Sequence, residues 1–138
     1  ALEPLVNQCD ALLMAAAPAD FRPLRAAGQK IKKIELGQEE MALELTETPD
    51  IISTLQGGRV RVAFAAETEN LKENATAKLE AKRAHLIVAN DVTAAGSGFG
   101  TETNEVTLFH RQGEVEELPL LSKYAVGNAI LDRVRALL

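Results

Sequence analysis

The sequence predicts a protein of the α/β class, with three layers built on a mostly parallel sheet. Three short apolar runs carry this prediction, beginning at Ala11, Val60 and Leu86, and each is continuous enough to be a strand buried on both faces. Helical patterns lie between them, and the order strand, helix, strand, helix, strand places helices on the faces of one sheet. That order is Rossmann-like, and two amphipathic strand pairs add lateral hairpins to it.

The composition fits one compact domain and excludes several classes. Of the 138 residues, 46% are apolar and 25% are charged. A net charge of -5 argues against sequence-independent nucleic-acid binding, which needs a basic surface. Without an apolar stretch of about 18 residues or a secretory signal, we expect no membrane partner. The single cysteine, Cys9, which we expect to be half-buried, favours the reducing cytoplasm.

The first elements are a helix and a buried strand. Leu2, Leu5 and Val6 follow helical spacing, and the run from Asp10 to Ala17, bounded by Pro18, predicts the first strand. Because helical spacing begins at once and Met does not open the chain, we expect the chain to start inside a domain.

A hairpin and a short helix follow the first strand. Ile31 to Leu36 and Met41 to Thr46 alternate apolar and polar residues, which predicts a hairpin with one solvated face. Pro49 is typical of a helix start, and Gly57 and Gly58 are typical of its end.

The second half of the chain repeats the strand and helix order. Val60 to Phe64 leads the second strand, and residues 68–70 offer N-capping side chains for a helix to about Ala84. Its inner face is Leu71, Ala75 and Leu79. Leu86 to Ala89 is the third strand, closed by Asn90 and Asp91. The last elements are a strand pair, Glu105 to His110 with Val115 to Leu121, and an amphipathic helix from Tyr124 to Leu138.

Polar residues follow the three buried strands. Asp20 follows the first strand, Glu67 and Thr68 the second, and Asn90 and Asp91 the third. Ligands of open α/β sheets bind beyond the carboxyl ends of the strands, so we expect these side chains to converge on a common edge.

Two lysine clusters are candidate anion sites, each with a structural alternative. Lys30, Lys32 and Lys33 either protect an edge strand from aggregation or, with Asp20, flank a ligand. Lys78 and Lys82 are four residues apart on one helix face, where they either grip a polyphosphate or form a solvated surface.

Two other features carry no chemistry. The glycine-rich segment from Gly96 to Gly100 precedes an extended pattern rather than a helix, so it is not a dinucleotide fingerprint and is read as a flap or connection. His85 and His110 have no acid or nucleophile at a useful spacing, so we assign them no catalytic role.

The motifs stand in a specific order along the chain: Ala15-Ala-Ala-Pro-Ala-Asp20-Phe-Arg-Pro23, Lys30-Ile-Lys-Lys33, Thr48-Pro-Asp-Ile51, Phe64-Ala-Ala-Glu-Thr-Glu-Asn70, Lys78-Leu-Glu-Ala-Lys82, Leu86-Ile-Val-Ala-Asn-Asp-Val92 and Asn104-Glu105. This order resembles the bacterial phosphopantothenate–cysteine ligase domain, from about Leu5 to the C-terminal helix. The resemblance implies that residues 1–138 are the C-terminal part of one such domain, whose N-terminal segment is missing. In many bacteria the domain follows a flavin-dependent decarboxylase, so FMN is expected only in a fused domain of that kind.

The resemblance also implies a reaction. The carboxylate of 4′-phosphopantothenate attacks the α-phosphate of CTP in the presence of Mg²⁺, and the amine of L-cysteine then displaces CMP. The activation is physically reasonable because a free carboxylate does not react with amines.

The family's nucleotide contacts carry over onto this chain position by position. The implied CTP-binding residues are Met14, Ala15, Ala16, Asp20, Lys30, Pro49, Asp50, Ile51, Ile52, Phe64, Lys78 and Lys82. Lys30 is the implied catalytic residue, stabilising the charge of the acyl-cytidylate step. The chain departs from the family pattern at Pro18 and Ala63, where relatives more often have a small aliphatic residue and a glycine.

A second hypothesis belongs to another class. Without the N-terminal segment, the chain would be a non-catalytic nucleotide-binding or dimerisation module, and the amphipathic strands ending at His110 and Leu121 would pair across a dimer. The family resemblance likewise implies a homodimer, or a larger assembly through a fused domain.

Overall fold

The structure, a computed structural model, describes residues 1–32, 41–67, 70–91 and 100–138, except the side chains of Glu67 and Asp91. It divides into a sheet unit, Ala1–Ala15 with Ile51–Leu138, and an insert unit, Ala16–Asp50. In chain order the elements are α1 (Glu3–Val6), β1 (Ala11–Met14), β2 (Phe21–Pro23), β3 (Leu45–Glu47), α2 (Ile51–Thr54), β4 (Val60–Glu67), α3 (Leu71–Ala81), β5 (Leu86–Asp91), β6 (Thr103–Asn104), β7 (Thr107–His110), β8 (Val115–Glu117), β9 (Leu121–Ser122) and α4 (Lys123–Leu137).

The sheet unit confirms the α/β prediction. Its main sheet has the strand order β1-β4-β5-β7-β8, with parallel pairing from β1 to β5 and antiparallel pairing beyond. The β7–β8 pair, predicted as a lateral hairpin, extends this sheet. A two-stranded sheet of β6 and β9 also lies in the unit.

Two apolar clusters cover the two faces of the sheet. Because successive side chains of a strand point to opposite faces, Val60 and Val62 of β4 belong to the α4 cluster, and Ala63 and Ala65 to the α2–α3 cluster. Leu86 and Ile87 divide in the same way on β5, and both are 0% exposed. Burial on both faces explains why these strands are continuous apolar runs.

The C-terminal helix follows the predicted pattern. Its N-cap, Ser122, accepts a hydrogen bond from the Ala125 backbone N–H at 3.1 Å. Val126, Ile130 and Val134 then recur at a spacing of one turn and are buried against the sheet.

The third helix begins differently from the expectation. Asn70 occupies the N-cap in a left-handed conformation with φ 52°, and its side chain makes no capping hydrogen bond within the described residues. The other predicted caps, Thr68 and Glu69, lie outside the described residues. The predicted inner face is confirmed, since Ala75 and Leu79 are buried and Leu71 packs beside them.

The insert unit corrects the first predicted hairpin. β3 pairs antiparallel with β2, with Phe21 opposite Glu47 and Pro23 opposite Leu45. Ile31 and Lys32 belong to no strand, and residues 33–40 lie outside the described residues. Residues 41–44 belong to no strand, so the strand predicted from Met41 was too long, and its predicted partner lies mostly outside the described residues.

Several smaller expectations also need correction. α2 begins at Ile51, so Pro49 precedes the helix and does not open it. Cys9 is exposed rather than half-buried. β5 includes Asn90 and Asp91, so these residues belong to the strand that they were expected to follow. In the part of the chain that the structure describes, no helix is long and apolar enough to cross a membrane.

Candidate functional site

Two of the predicted nucleotide contacts in the sheet unit, Ile51 and Ile52, lie on α2, which is a single helical turn. The Leu55 N–H donates to the Ile51 carbonyl at 3.1 Å, and the Thr54 hydroxyl donates to the same oxygen at 2.9 Å. One turn of helix has no stability of its own in water. The positions of Ile51 and Ile52 therefore depend on contacts with the rest of the unit.

Two side-chain hydrogen bonds hold this turn. Arg61 of β4 donates from Nη2 to the Ile52 carbonyl, and both residues are buried, at 6% and 2% exposure. The Ser53 hydroxyl donates to the Ala81 carbonyl at 3.3 Å, at the last residue of α3. Carbonyls at helix ends have no partner within the helix, so this bond joins α2 to the end of α3.

The end of α3 also carries the predicted phosphate-binding lysines. Lys78 lies in the last turn and Lys82 is the C-cap, with the Lys82 N–H donating to the Lys78 carbonyl at 3.0 Å. Both lysines are half-buried. Lys78 lines a depression of about 400 Å³ together with Asn74, Ala77 and Ala81. The Ser53–Ala81 bond thus places α2 beside the part of α3 that carries the positive charge.

Met14 shares a sheet face with these groups. It ends β1, pairs with Ala63 of β4, and packs against the apolar cluster that contains Ile52 and Leu79. Ala15 follows it and is exposed. Met14 therefore shares an apolar cluster with Ile52 of α2 and Leu79 of α3.

Phe64 lies on the other face of the sheet. It follows Ala63 and precedes Ala65, which both face α2 and α3, so strand alternation directs the Phe64 side chain to the α4 side. It is 38% exposed and lies one residue beyond the level at which β1 ends. The implied nucleotide contact of Phe64 is thus not on the lysine face.

The ends of the strands converge less than expected. β4 and β5 end together, with Glu67 opposite Asp91, but β1 ends four residues earlier at the level of Ala63. Thr68 lies outside the described residues, and Asp20 belongs to the insert unit. Only two of the three strands therefore share the predicted edge.

The remaining predicted contacts lie in the insert unit, and all are exposed: Ala16, Asp20, Lys30, Pro49 and Asp50. The Asp20 carbonyl accepts a hydrogen bond from the Thr48 N–H at 2.8 Å. This bond brings Asp20 close to Pro49 within the unit. Lys30 lies outside the regular elements, and Lys33 is outside the described residues.

Sequence reasoning missed Arg61 and gave His85 no role. Among the described residues, Arg61 is the charged side chain in the core, and the signal was one arginine inside the apolar strand Val60 to Phe64. Its backbone N–H donates to His85 Nδ1 at 3.1 Å. Burial, with Arg111 and Arg61 nearby, lowers the pKa of His85, so the imidazole is held neutral. His85 is thus a structural partner of Arg61.

Other groups in the sheet unit do not add to the site. A cavity of about 550 Å³ is lined by residues that include His110, Glu116 and Arg133 and by none of the predicted contacts. Within the described ranges, no group of three or more His, Cys, Asp or Glu side chains could hold a metal ion. We therefore assign no Mg²⁺ ligands among these residues.

Known proteins match the chain over nearly its whole length. The coenzyme A biosynthesis bifunctional protein CoaBC of Bacillus subtilis strain 168 is 44% identical over 131 residues, which are 93% of this chain and 32% of that protein. A cysteine/cysteine sulfinic acid decarboxylase from an unknown prokaryotic organism is 35% identical over 135 residues, 95% of this chain and 37% of that protein. The chain thus spans about a third of the length of these curated relatives.

The fold comparison agrees with the sequence comparison. The crystal structure of the C-terminal domain of a coenzyme A biosynthesis bifunctional protein CoaBC superposes with a TM-score of 0.72 at 34% identity, covering 96% of this chain and 57% of that chain. The family described as the DNA/pantothenate metabolism flavoprotein C-terminal domain matches residues 1–138. The chain therefore belongs to the family of the DNA/pantothenate metabolism flavoprotein C-terminal domain.

Proposed function

We propose that this chain is the C-terminal part of a phosphopantothenate–cysteine ligase domain that works in coenzyme A biosynthesis. The observation that carries the proposal is the junction of α2 and α3, where the Ser53–Ala81 bond sets the predicted nucleotide segment beside Lys78 and Lys82. The names of the coenzyme A relatives support it. We place the protein in the cytoplasm and expect a homodimer.

The proposed reaction has two steps. A carboxylate oxygen of 4′-phosphopantothenate attacks the α-phosphorus of CTP, forming a P–O bond while the bond to pyrophosphate breaks. The amine of L-cysteine then attacks the acyl carbon, the bond to CMP breaks, and the amine loses one proton as the amide forms. Each step develops negative charge on phosphate oxygens, which nearby cations stabilise.

The residues of the sheet unit have binding roles in this proposal. Lys78 and Lys82 neutralise the triphosphate, because clustered ammonium groups attract a polyanion. Met14, Ala15 and Ile51 contact the nucleotide, Ile52 is the buried part of the same segment, and Phe64 contacts the nucleotide from beyond the end of β1. Mg²⁺ would be held by the triphosphate, since this ion commonly binds through substrate phosphates, and would supply further positive charge there.

The residues of the insert unit are assigned by the sequence resemblance. We propose Lys30 as the catalytic residue, with its ammonium group stabilising the charge of the acyl-cytidylate step. Ala16, Asp20, Pro49 and Asp50 are further proposed nucleotide contacts. A four-residue helix offers no anion site at its N-terminus, so the roles of Pro49 and Asp50 do not rest on α2.

The test is a product assay on the full-length protein. We expect pyrophosphate and 4′-phosphopantothenoylcysteine to form only when CTP, L-cysteine and 4′-phosphopantothenate are all present. Lys30→Gln should abolish the product, and Lys72→Gln, an exposed lysine of α3, should retain it. CTP consumption unchanged by Lys30→Gln would remove Lys30 from the chemistry.

The same assay separates the alternatives. One relative carries the name of a decarboxylase acting on cysteine, so carbon dioxide released from cysteine without CTP would contradict the ligase proposal. A non-catalytic module would bind CTP without turnover of any substrate combination. Dimerisation through β7 is disfavoured, because both edges of β7 are already paired, with β5 and β8.

A further inference from the structure

We propose that Arg61 is a positioning residue that fixes α2 and thereby aligns the Ile51–Ile52 part of the nucleotide site. The inference rests on the proposed function, because it assigns Arg61 to the CTP-binding step of that reaction. Arg61 itself is buried, so we propose no contact between its side chain and the nucleotide.

The first step of the argument is the cost of burying Arg61. A guanidinium group that leaves water loses several kcal/mol of hydration unless hydrogen bonds replace it. Arg61 is 6% exposed and lies between Val60 and Val62, where an apolar side chain would complete the core more simply. Among the described contacts of its guanidinium group, Nη2 donates to the carbonyl of Ile52.

The second step is the rigidity of the base from which Arg61 extends. Its backbone N–H donates to His85 Nδ1, and its carbonyl accepts from the His85 N–H at 2.8 Å. On the other side of β4, Arg61 is in register with Leu12 of β1. Both backbone hydrogen-bonding groups of Arg61 are thus tied to His85, so its side chain extends from a fixed position toward α2.

The third step is the dependence of α2 on this contact. α2 is one helical turn, and the described side-chain bonds that tie its residues to other elements come from Arg61 and from Ser53. Ser53 ties α2 to the lysine-bearing end of α3, and Arg61 ties it to the sheet. Both bonds together fix where the Ile51–Ile52 segment lies relative to Lys78, and a bound nucleotide profits from groups that are already in place.

Loss of Arg61 should therefore weaken CTP binding more than it slows the chemistry. In Arg61→Met the charge is removed with a side chain of similar length, and the Ile52 carbonyl loses its donor. We expect KM for CTP to rise about tenfold while kcat changes by less than about twofold, because an interaction that acts on binding alone changes KM. Arg61→Lys retains a donor and should recover part of the affinity.

The experiment combines kinetics with backbone hydrogen exchange on the full-length protein. Without CTP, residues 51–55 should exchange faster in Arg61→Met than in the wild type, while β5 and α4 stay protected. Ser53→Ala should also raise the exchange of α2 and KM for CTP. The matched control is Arg59→Met, an exposed arginine two residues earlier that pairs with Asp10 at 3.5 Å, and it should change neither quantity.

The outcomes separate the inference from the proposed function. Unchanged exchange of residues 51–55 in Arg61→Met overturns the inference, as does an unchanged KM for CTP in an enzyme that turns over. A fall in kcat for all substrates without a change in KM also overturns it. If the wild type shows no CTP-dependent product, the proposed function fails, and the assignment of Arg61 to nucleotide binding fails with it.

Discussion

Arg61 and His85 are joined by two hydrogen bonds, one from the Arg61 N–H to His85 Nδ1 at 3.1 Å and one from the His85 N–H to the Arg61 carbonyl at 2.8 Å. The His85 carbonyl accepts a third bond, from the Arg111 N–H at 3.0 Å. His85 thus connects the start of β4 to β5 and to the turn after β7. Since Nδ1 is an acceptor here, the bond exists only while that nitrogen carries no proton.

Acidification should therefore destabilise the protein through His85. Its pKa in the folded state is lowered from the ordinary 6.5 by burial and by Arg111 and Arg61, so below pH 6.5 the unfolded chain binds more protons. The free energy of unfolding should fall as the pH drops from 6.5 through the folded pKa. His85→Asn, which keeps a neutral acceptor, should flatten this part of the curve in denaturant titrations at several pH values.

The other histidine provides the control for this prediction. His110 ends β7, with Nε2 4.0 Å from a carboxylate oxygen of Glu116. The flattening caused by His85→Asn should persist in a His110→Asn background. If His85→Asn leaves the pH dependence of the free energy of unfolding unchanged in both backgrounds, protonation of His85 does not cause the loss of stability in acid.

Gly57 should not tolerate a side chain. Its φ is +118°, and a Cβ atom would lie 2.6 Å from Asn7 Oδ1 and 3.1 Å from the Val6 carbonyl oxygen. Gly57→Ala should lower the free energy of unfolding by about 1–3 kcal/mol. Gly127→Ala is the matched control, because Gly127 lies inside α4 with nothing within 4 Å. Gly127→Ala should raise the free energy of unfolding by about 0.5–1 kcal/mol. If chemical denaturation shows the same loss for both variants, the conformation and contacts of Gly57 do not explain its sensitivity.

Glu116 and Arg133 should be energetically coupled. Arg133 donates from Nε to Glu116 Oε2 at 3.1 Å and from Nη2 to Oε1, which ties α4 to β8. The two side chains are 31% and 29% exposed, so solvent screens the pair and we expect about 0.5–1 kcal/mol of coupling. A double-mutant cycle with Arg133→Met and Glu116→Gln measures it.

The pH dependence and a second ion pair check this assignment. The hydrogen bond from Arg133 lowers the pKa of Glu116 below 4.5, so its contribution is present above pH 4.5 and is lost as the pH falls through the folded pKa. Asp132 and Arg135 form a pair at 3.8 Å that is 64% and 85% exposed. That pair should show almost no coupling, and similar values for both pairs would mean that the bidentate geometry contributes nothing.

The sequence predicted those parts of the fold in which burial is continuous. Val60, Val62 and Leu86 lie in strands covered on both faces, which leaves an apolar run that can be read directly. Ile130 and its neighbours on α4 recur at helical spacing because one face packs on the sheet. The β2–β3 pair could not be found, since Phe21 to Pro23 are all exposed and nothing local selects their partner.

The site was predictable in its residue types and not in its geometry. Lys78 and Lys82 could be placed on one helix face by their spacing, and the structure places them at the end of that helix. The position of α2 beside these lysines depends on the hydrogen bond from Arg61 to the Ile52 carbonyl, which is a tertiary contact on one face of the sheet. In the sequence, the same arginine is one charge in an apolar strand, and its burial follows only once α2 is in place.

The α3 lysines should contribute to nucleotide affinity in a position-dependent way. Lys78 lines the depression beside Ala81, whereas Lys72 is exposed about 1.7 turns nearer the start of the same helix. Lys78→Gln should raise KM for CTP about tenfold, with a larger rise for Lys78→Gln combined with Lys82→Gln, because each change removes a positive charge near the proposed triphosphate. Lys72→Gln changes the net charge equally and should leave KM unchanged at 0.1–0.2 M salt, where distant exposed charges are screened. Equal effects of Lys72→Gln and Lys78→Gln in steady-state kinetics would mean that overall charge, and not the α2–α3 junction, attracts the nucleotide.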